Sequence, residues 1–341
     1  MIQGFSTFLA RARFHRHVLG VALVTATLGL ASPPALADRP SKNLNISTST
    51  STGLWYGLSG AWAALVSDRV PSLNVTAQPG PGGVGNARIL ADQDAEIVWM
   101  LSDGAYNSMH GKGLFEGQAI PNLRAMMSTF APIMHIISNE GSGISSFEDL
   151  DGMRVAVGPA GSASQLVVAG LAELANISVR QQYISFSEGL QGLQDGNTDA
   201  TGFMTQPGNA AVTAMAVERA LQIAPVSQEL IDAYIEITPG FATFKIPGGT
   251  YEGIDEDIKT LGAMSLVLTT TDYMTEDEVY DFVSTIWNER SRWADVHAAA
   301  SVVNLETALD AISVPLHAGA YRYYVEQGME VAEEIRPPEV N

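Results

Sequence analysis

The sequence of 341 residues contains no cysteine, which excludes disulfide bonds, thiolate metal sites and a cysteine nucleophile. Basic residues are also scarce, with 18 Lys and Arg against 37 Asp and Glu and a formal net charge of −19. Proteins that bind nucleic acid need basic patches to replace the counterions along the phosphates, so that class is excluded. Docking on an anionic membrane surface by charge alone is excluded for the same reason.

A run of apolar residues long enough to span a bilayer is missing too. The best candidate, Val18–Ala31, has 14 residues, whereas a spanning helix needs about 20. Three arginines precede this run, and Ala35 and Ala37 follow it with the A-x-A spacing of a secretory cleavage site. We therefore predict a signal peptide over residues 1–37, a mature chain that starts at Asp38 and a periplasmic location.

Beyond the signal peptide, strand-like runs alternate with helix-like patterns. The predicted strands are Leu44–Ser49, Leu73–Gln78, Glu96–Leu101, Met126–Ile137, Arg154–Gly158, Tyr183–Phe186, Ala200–Met204, Leu221–Val226 and Ala263–Thr269. Apolar residues at helical spacing occur over Leu54–Val66, and Thr275 with Glu278 forms a capping box that opens another helix. Repeated strand–helix units predict two α/β lobes with mostly parallel sheets.

The turns that follow the predicted strands share a composition. Most are rich in Ser, Thr and Gly and nearly lack Lys and Arg, and they cover residues 49–55, 78–85, 102–106, 158–165, 185–188 and 205–209. Ligands of open α/β sheets bind at the carboxyl ends of the strands, and helix N-termini attract anions without cationic side chains. These turns therefore predict a cleft for a small anion. Any single Ser or Thr there is also a candidate helix cap, Ser162 above all.

The loop Gly80–Gly85 has the G-x-G-x-x-G pattern of a dinucleotide-binding turn, with Asp103 eighteen residues after its last glycine. Pro79 and Pro81, however, remove backbone N–H donors from a loop that would have to hold pyrophosphate. We therefore interpret the loop as a tight turn that contributes to another site, and we predict no cofactor. An exported dehydrogenase that uses this loop stays open as an alternative function.

Residue patterns for metal binding and for hydrolysis are weak. The mature chain keeps His110, His135, His297 and His317, and no two of them are spaced i, i+4, so we predict structural roles and no metal site. A G-x-S-x-G nucleophile turn is absent from the sequence. The acidic residues 255–257 lack the spacing of an EF-hand loop, which favours a solvated loop over a calcium site. We therefore predict that the protein is not an enzyme.

Several stretches, in order along the chain, resemble the signatures of one known family. They are Ser51-Thr52-Gly53-Leu54-Trp55-Tyr56, Gly83-Val84-Gly85-Asn86-Ala87-Arg88, Ser102-Asp103-Gly104-Ala105-Tyr106, Gly158-Pro159-Ala160-Gly161-Ser162-Ala163-Ser164, Pro247-Gly248-Gly249-Thr250-Tyr251 and Val314-Pro315-Leu316-His317-Ala318-Gly319-Ala320. With them, the chain is similar from about Asn45 to Gly328 to the TAXI solute receptors, the TRAP-associated extracytoplasmic immunogenic proteins.

The resemblance implies a type II periplasmic-binding-protein fold, in which two α/β lobes hold a ligand in the cleft between them. We place lobe I at residues 38–137 and 240–341 and lobe II at 138–239. The implied ligand is a small organic anion, a glutamate-like amino acid or a dicarboxylate, and the implied partner is a TRAP membrane permease. We expect a monomer. A receptor that feeds an ABC importer or a sensor kinase stays open as an alternative.

Position by position, the resemblance implies a set of ligand-binding residues at the strand-to-helix turns: Ser51, Thr52, Gly53, Tyr56, Ser102, Asp103, Tyr106, Ser162, Ser164, Gln165, Phe203 and Thr205. The two tyrosines would cover the apolar part of the ligand and donate hydroxyl groups. Asp103 would either receive an ammonium group or cap its own helix. Arg88 and Arg124 are expected on the lobe surfaces, and a role as carboxylate partners stays open as the alternative. Departures from the family pattern at the opening turn and at Ser164 mean that the ligand's identity does not transfer.

Overall fold

The computed structural model describes residues 41–49, 51, 54–295 and 298–340, without the side chains of residues 298 and 299. The described residues belong to one compact unit. The predicted signal peptide, residues 1–37, lies outside the described residues. Within the described part, no helix combines the length and the apolar character needed to cross a membrane.

The strands, numbered in chain order, are β1 Lys42–Ser47, β2 Leu73–Gln78, β3 Ile97–Leu101, β4 Leu123–Ser128, β5 Ile133–Asn139, β6 Arg154–Ala156, β7 Arg180–Gln182, β8 Ala200–Thr205, β9 Leu221–Ala224, β10 Phe241–Ile246, β11 Ile258–Ala263 and β12 Ser265–Thr270. The helices are α1 Leu54–Arg69, α2 Gly83–Ala91, α3 Ser102–His110, α4 Ala163–Leu174, α5 Phe186–Asp195, α6 Ala210–Glu218, α7 Gln228–Ile237, α8 Glu276–Asn288 and α9 Ala318–Glu326.

These strands form two sheets. The first has the order β2-β1-β3-β12-β4, in which β1 pairs in parallel with β2 and β3 while β12 runs antiparallel to its neighbours. The second has the order β10-β11-β5-β8-β6-β7, and β9 also pairs with β5. The predicted α/β lobes are present, but both sheets are mixed because antiparallel strands follow each crossing between them.

Two short segments connect the lobes, and we call them the hinge: Thr129–Pro132 and Ala263–Ser265. They pair with each other, because the amide of Ser265 donates to the carbonyl of Phe130 over 2.8 Å and the amide of Thr129 donates to the carbonyl of Ser265 over 3.0 Å. The lobe boundaries of the sequence analysis fall elsewhere. By hydrogen bonding, β5, β10 and β11 belong to the second sheet, although those boundaries place most of β5 and all of β10 and β11 in lobe I.

Two strand predictions were wrong for local reasons. The predicted strand Met126–Ile137 is two strands in different sheets, and Pro132 in the middle of that apolar run marks the break. The predicted strand Tyr183–Phe186 instead ends in a helix start, because Ser185 and Glu188 form a capping box at the beginning of α5. The strands β10 and β11 had no sequence prediction.

The helix predictions in the first lobe are confirmed. Along α1, Leu58, Trp62 and Leu65 are buried against the sheet. Thr275 and Glu278 form the predicted reciprocal capping box of α8. The apolar residues that share one face of α8 are all buried: Val279, Phe282, Val283, Ile286 and Trp287. Every residue of β3 and β12 is buried, as expected for strands covered by other elements on both faces.

Candidate functional site

A cavity of about 200 Å³ opens between the two lobes. Its lining residues come from the first lobe, from the hinge and from the second lobe: Ser49, Leu54, Trp55, Phe130, Pro132 and Gln206. This location follows from the strand directions. Ile133 follows the first hinge segment and pairs with Thr205, the last residue of β8. Ser265 ends the second hinge segment and pairs with Leu101, the last residue of β3. The carboxyl ends of β1, β3, β6 and β8 therefore face the hinge, where ligands of such sheets bind.

The first-lobe wall of the cavity is aromatic and rigid. Trp55 stacks on Trp99 with ring centroids 5.7 Å apart and an interplanar angle of 20°, and Trp99 stacks on Trp62 at 5.4 Å. Trp62 and Trp287 each make an edge contact with Trp293. The protein's five tryptophans therefore form one continuous series of ring contacts from the cavity into the core. Trp55 is held in a single orientation by this packing.

Trp55 also contacts the hinge. Its Nε1–H donates to the hydroxyl of Ser265 over 3.1 Å, and Ser265 is fully buried. The same indole packs against the apolar cores of both lobes. Among the described residues that line the cavity, Trp55 is the one whose side chain donates a hydrogen bond to the hinge. A ligand that contacts Trp55 is therefore one hydrogen bond away from the hinge.

The second lobe contributes an amide to the cavity. Gln206 follows β8 and is half-buried, and its NH2 group has no hydrogen-bond partner among the described residues. The neighbouring Thr205 is buried and accepts a hydrogen bond from Asn209 over 3.0 Å, which fixes the turn. An amide held at this place can both donate to and accept from a ligand.

The residues named by the sequence analysis occupy other positions. None of those that the structure describes lines the cavity, while Trp55 and Gln206, which do, are adjacent in sequence to Tyr56 and Thr205. Ser51 is exposed, Tyr56 is half-buried on α1, and Thr52 and Gly53 lie outside the described residues. On a helix, successive residues differ by about 100° in direction, so the placement of Trp55 turns Tyr56 away.

The hydroxyl oxygens of the second-lobe turn accept hydrogen bonds within the protein. Ser162 caps α4 by accepting from the amide of Gln165, as predicted, and the Gln165 side chain in turn accepts from the amide of Gly161 over 3.1 Å. Ser164 is buried and accepts from the amide of Met204 over 2.9 Å. Phe203 is buried against Phe186, with ring centroids 4.8 Å apart. These residues form a cluster at the carboxyl ends of β6 and β8.

Ser102 and Tyr106 lie on α3, where the first lobe meets the second lobe beside the hinge. The Ser102 hydroxyl donates to the carbonyl of Gly240 over 2.5 Å, and its amide donates to Met264 over 2.9 Å. Tyr106 accepts from Lys112 over 3.0 Å and lines a different cavity, of about 350 Å³, with Gly240 and Ser313. Ser102 therefore connects the lobes, and the hydrogen of its hydroxyl is committed to Gly240.

Asp103 is the most perturbed acid of this region. Its Oδ1 is shielded from solvent and has no partner among the described residues. Burial raises the pKa of its carboxyl from 3.8 to about 6, against the opposing effect of hydrogen bonds from the amides of Gly104 and Asp103 itself. Tyr234 of α7 is close enough that, after burial, the Asp103 charge contributes to raising the pKa of its hydroxyl. Asp103 therefore lies in the first turn of α3, as predicted, and interacts with Tyr234 of the second lobe.

This pKa predicts a pH-dependent stability. Between pH 4 and 6 the folded chain holds a proton on Asp103 that the unfolded chain has released, so the free energy of unfolding falls as pH rises and levels off above pH 6. A shift of about two units corresponds to up to about 3 kcal/mol. We expect Asp103→Asn to restore most of this free energy of unfolding at pH 8 and little of it at pH 4. Urea unfolding at the two pH values measures the difference. Asp255→Asn, at an exposed position, is the control, and equal effects of Asp103→Asn at both pH values would contradict the assignment.

The glycine loop after β2 packs two strand–helix turns together. A Cβ on Gly80 would lie 2.4 Å from the Ser47 hydroxyl and 3.0 Å from the Thr48 amide, and one on Gly85 would lie 2.4 Å from the Pro81 ring. Gly82 and Gly83 have positive φ angles of 68° and 42°. Close approach and backbone conformation therefore account for these glycines. Asn86, at the start of α2, ties the loop to β1 and β3.

Among the remaining titratable candidates, His135, His317 and Arg124 have structural partners. His135 is buried with its Nε2 3.0 Å from the Tyr251 hydroxyl, and burial lowers the pKa of its ring to about 4. His317 caps α9, and His297 lies outside the described residues. Arg88 is exposed on α2, as expected, but the surface position expected for Arg124 was wrong, because Arg124 is buried and pairs with Glu339. Asp255, Glu256 and Asp257 are exposed, and no group of three His, Asp or Glu residues in the described ranges is placed to hold a metal ion.

Solved structures share this fold at low sequence identity. A TctC solute binding protein from Polaromonas matches with a TM-score of 0.52 and 14% identity over 78% of this chain and 90% of that protein. XAC2383 from Xanthomonas citri, bound to ATP, matches with a TM-score of 0.52 and 11% identity over 84% and 99%. The periplasmic binding protein BugD matches with a TM-score of 0.50 and 12% identity over 84% and 94%.

The two sheets, the two crossings and these similarities show the two-lobed fold of periplasmic binding proteins. At such identities the likeness extends to the fold and not to the ligand. A protein-family comparison matches residues 46–328, which includes both lobes and the hinge. On the strength of that match, the chain belongs to the NMT1-like family.

Proposed function

We propose that this protein is an exported solute-binding protein of the TAXI type, which captures a small organic anion and delivers it to a TRAP permease. The observation that carries the proposal is the cavity between the lobes, at the carboxyl ends of parallel strands and beside the hinge. The matched proteins whose printed names describe solute or periplasmic binding support it. The protein performs no chemistry on its ligand in this proposal.

A ligand in the cavity would touch both lobes and the hinge at once. Trp55 and Leu54 contact it from the first lobe, and Gln206 contacts it from the second. Such a ligand favours the closed arrangement by the difference between its affinities for the closed and open arrangements. The closed form would then be the form that docks on the permease.

The charge of the protein does not prevent anion capture. The helix α1 begins at Leu54 in the cavity wall, and the N-terminus of a helix carries about half a positive charge. Exposed acidic residues farther away are screened over about 8 Å at physiological ionic strength. A single carboxylate at the start of α1 is therefore stabilised locally although the whole chain is acidic.

The alternative of a dehydrogenase depends on the glycine loop. Its glycines already have a reason in the close contacts with Ser47, Thr48 and Pro81. We expect the purified protein to show no absorbance from bound nicotinamide. Such absorbance would favour the dehydrogenase.

The binding proposal is tested by calorimetry on the purified mature protein, with glutamate, 2-oxoglutarate and succinate as probes, and by mass spectrometry of any ligand released from natively purified protein. For a probe that binds, we expect Gln206→Ala to weaken affinity up to about tenfold, since one hydrogen bond is lost. The double variant Ser162→Ala/Ser164→Ala should stay within about threefold, because those hydroxyls are engaged in the fold. The reverse order would assign the ligand to the serine turn instead.

The transporter is tested separately. We expect the protein to stimulate uptake of its released ligand into inner-membrane vesicles that are energised by an ion gradient and depleted of ATP. Uptake that requires ATP would favour an importer of the ABC class, and binding without any stimulated uptake would favour a sensor.

A further inference from the structure

Tyr251 contacts the turn that carries Gln206, and we call residues 205–208 the Gln206 turn. Tyr251 lies between β10 and β11, is 2% exposed and ends the stretch Pro247–Tyr251, for which the sequence by itself indicated no role. Its hydroxyl oxygen accepts a hydrogen bond from the amide of Gly208 over 3.1 Å. Gly208 is exposed, and among the described residues Tyr251 is the partner of its amide.

The same hydroxyl is bonded to His135, and the direction of each hydrogen bond is fixed. The Nδ1 of His135 lies 3.0 Å from the carbonyl oxygen of Ile133, which can only accept, so Nδ1 carries a hydrogen. Burial lowers the pKa of the His135 ring to about 4, so at neutral pH its Nε2 has no hydrogen and accepts from the Tyr251 hydroxyl over 3.0 Å. The Tyr251 oxygen is then left to accept from Gly208.

The Gln206 turn is therefore attached at both ends to the start of β5. At one end Thr205 pairs with Ile133 in the sheet, and at the other Gly208 reaches the carbonyl of Ile133 through the two side chains just described. Ile133 directly follows the hinge segment Thr129–Pro132. Gln206, which lines the cavity between the lobes, lies between the two points of attachment.

We propose that Tyr251 and His135 are positioning residues, which hold the Gln206 turn against the hinge end of β5 and so present Gln206 to the cavity. Neither residue lines the cavity itself. The ring of Tyr251 also packs in the apolar core with Ile246, but that packing uses the ring and not the hydroxyl, so Tyr251→Phe separates the two roles. This inference rests on the proposed function, because these residues act on the same site through Gln206.

The attachment of the turn is tested without any ligand, by NMR. At neutral pH wild-type His135 should be the tautomer with hydrogen on Nδ1, and hydrogen on Nε2 would overturn the inference. Tyr251→Phe should speed the amide hydrogen exchange of Gly208 about three- to tenfold, the effect of one hydrogen bond. Tyr324→Phe is the matched control, because the Tyr324 hydroxyl is also buried and donates to the carbonyl of Met126 in the first lobe over 3.0 Å.

Tyr324→Phe should leave the exchange of Gly208 unchanged. If both variants speed it equally, Tyr251 acts only through the overall stability of the protein, and the inference is wrong. Unchanged Gly208 exchange in Tyr251→Phe overturns it as well. Melting temperatures show that both variants are folded.

The effect on binding is tested by a double-mutant cycle with calorimetry. The probe is whichever of glutamate, 2-oxoglutarate and succinate the wild type binds most tightly. We expect Tyr251→Phe to weaken affinity about three- to tenfold in the wild type, but less than about twofold in Gln206→Ala, because the amide through which it acts is then gone. No loss in the wild type, or equal losses in both backgrounds, would contradict the inference while the proposed function stands.

The two proposals fail in different ways. If no probe binds and native mass spectrometry finds no released molecule, the proposed function fails. The attachment of the Gln206 turn is then still decided by the Gly208 exchange and the His135 tautomer. If a molecule is released, it replaces the three probes in the cycle.

Discussion

Asn86→Ala is expected to lower the free energy of unfolding by about 3–5 kcal/mol, because several buried hydrogen bonds depend on this one amide. The Asn86 NH2 group donates to the carbonyls of Thr48 at 2.8 Å and Trp99 at 2.7 Å, and more weakly to Ser47 at 3.3 Å. Its oxygen accepts from the Ser47 hydroxyl at 2.9 Å. Asn86 is fully buried, so alanine leaves these groups without their partner in a place that water does not reach.

Asn74→Ala is the matched control for this prediction. Asn74 lies exposed on β2 and makes a side-chain hydrogen bond to Asn43 over 2.8 Å. Its loss is expected to change the free energy of unfolding by less than about 0.5 kcal/mol. Urea unfolding followed by tryptophan fluorescence measures both variants. A loss below about 1 kcal/mol for Asn86→Ala would mean that the carbonyls at the ends of β1 and β3 find other donors.

Gly240→Ala is expected to separate the lobes locally and to destabilise the protein by about 2–6 kcal/mol, combining backbone strain with overpacking. Gly240 precedes β10 with a φ angle of 103°, which side chains rarely adopt. A Cβ there would lie 2.5 Å from the amide nitrogen and 2.7 Å from the Cα of Asp103 in the other lobe. Neither atom is the end of a flexible side chain, so the two backbones must move apart.

Gly249→Ala separates the two causes in this prediction. Gly249 has a φ angle of 79°, but nothing lies within 4 Å of the position of its Cβ. It should therefore show only the strain of the left-handed backbone, about 1 kcal/mol. Thermal and urea unfolding of the two variants supply the comparison. Equal losses would show that the contact between Gly240 and Asp103 is not what limits this position.

Several features of the protein were accessible from the sequence because they are set by neighbouring residues. Helix caps at Ser162 and Thr275 depend on hydrogen bonds that span three residues, and the structure confirms both. The apolar faces of α1 and α8 follow from helical spacing alone. The two-lobed α/β fold followed from the strand–helix alternation together with the family resemblance.

The site itself was harder to predict. Trp55 has the i, i+3, i+7 relation to the buried Leu58 and Trp62 of α1, but Tyr56 has the same relation to the buried Ser59 and Ala63, so helical spacing does not distinguish the two. Only the folded structure places Trp55 and not Tyr56 in the cavity wall. The same holds for Ser102 and Ser164. Their hydroxyls bond to residues 138 and 40 positions away in the chain, so only the folded structure shows that they are engaged.

The sequence alone therefore determined the local units of this protein: the scarcity of positive charge, the helix caps, the apolar faces and the Ser, Thr and Gly character of the turns. The tertiary structure alone decided which sheet β4 and β5 each join, the pairing of β10 with β11, and which distant residues among those described line the cavity together. Local features depend on hydrogen bonds and spacing within a few residues. Strand pairing and cavity lining depend on contacts between distant segments, whose partners no local pattern specifies.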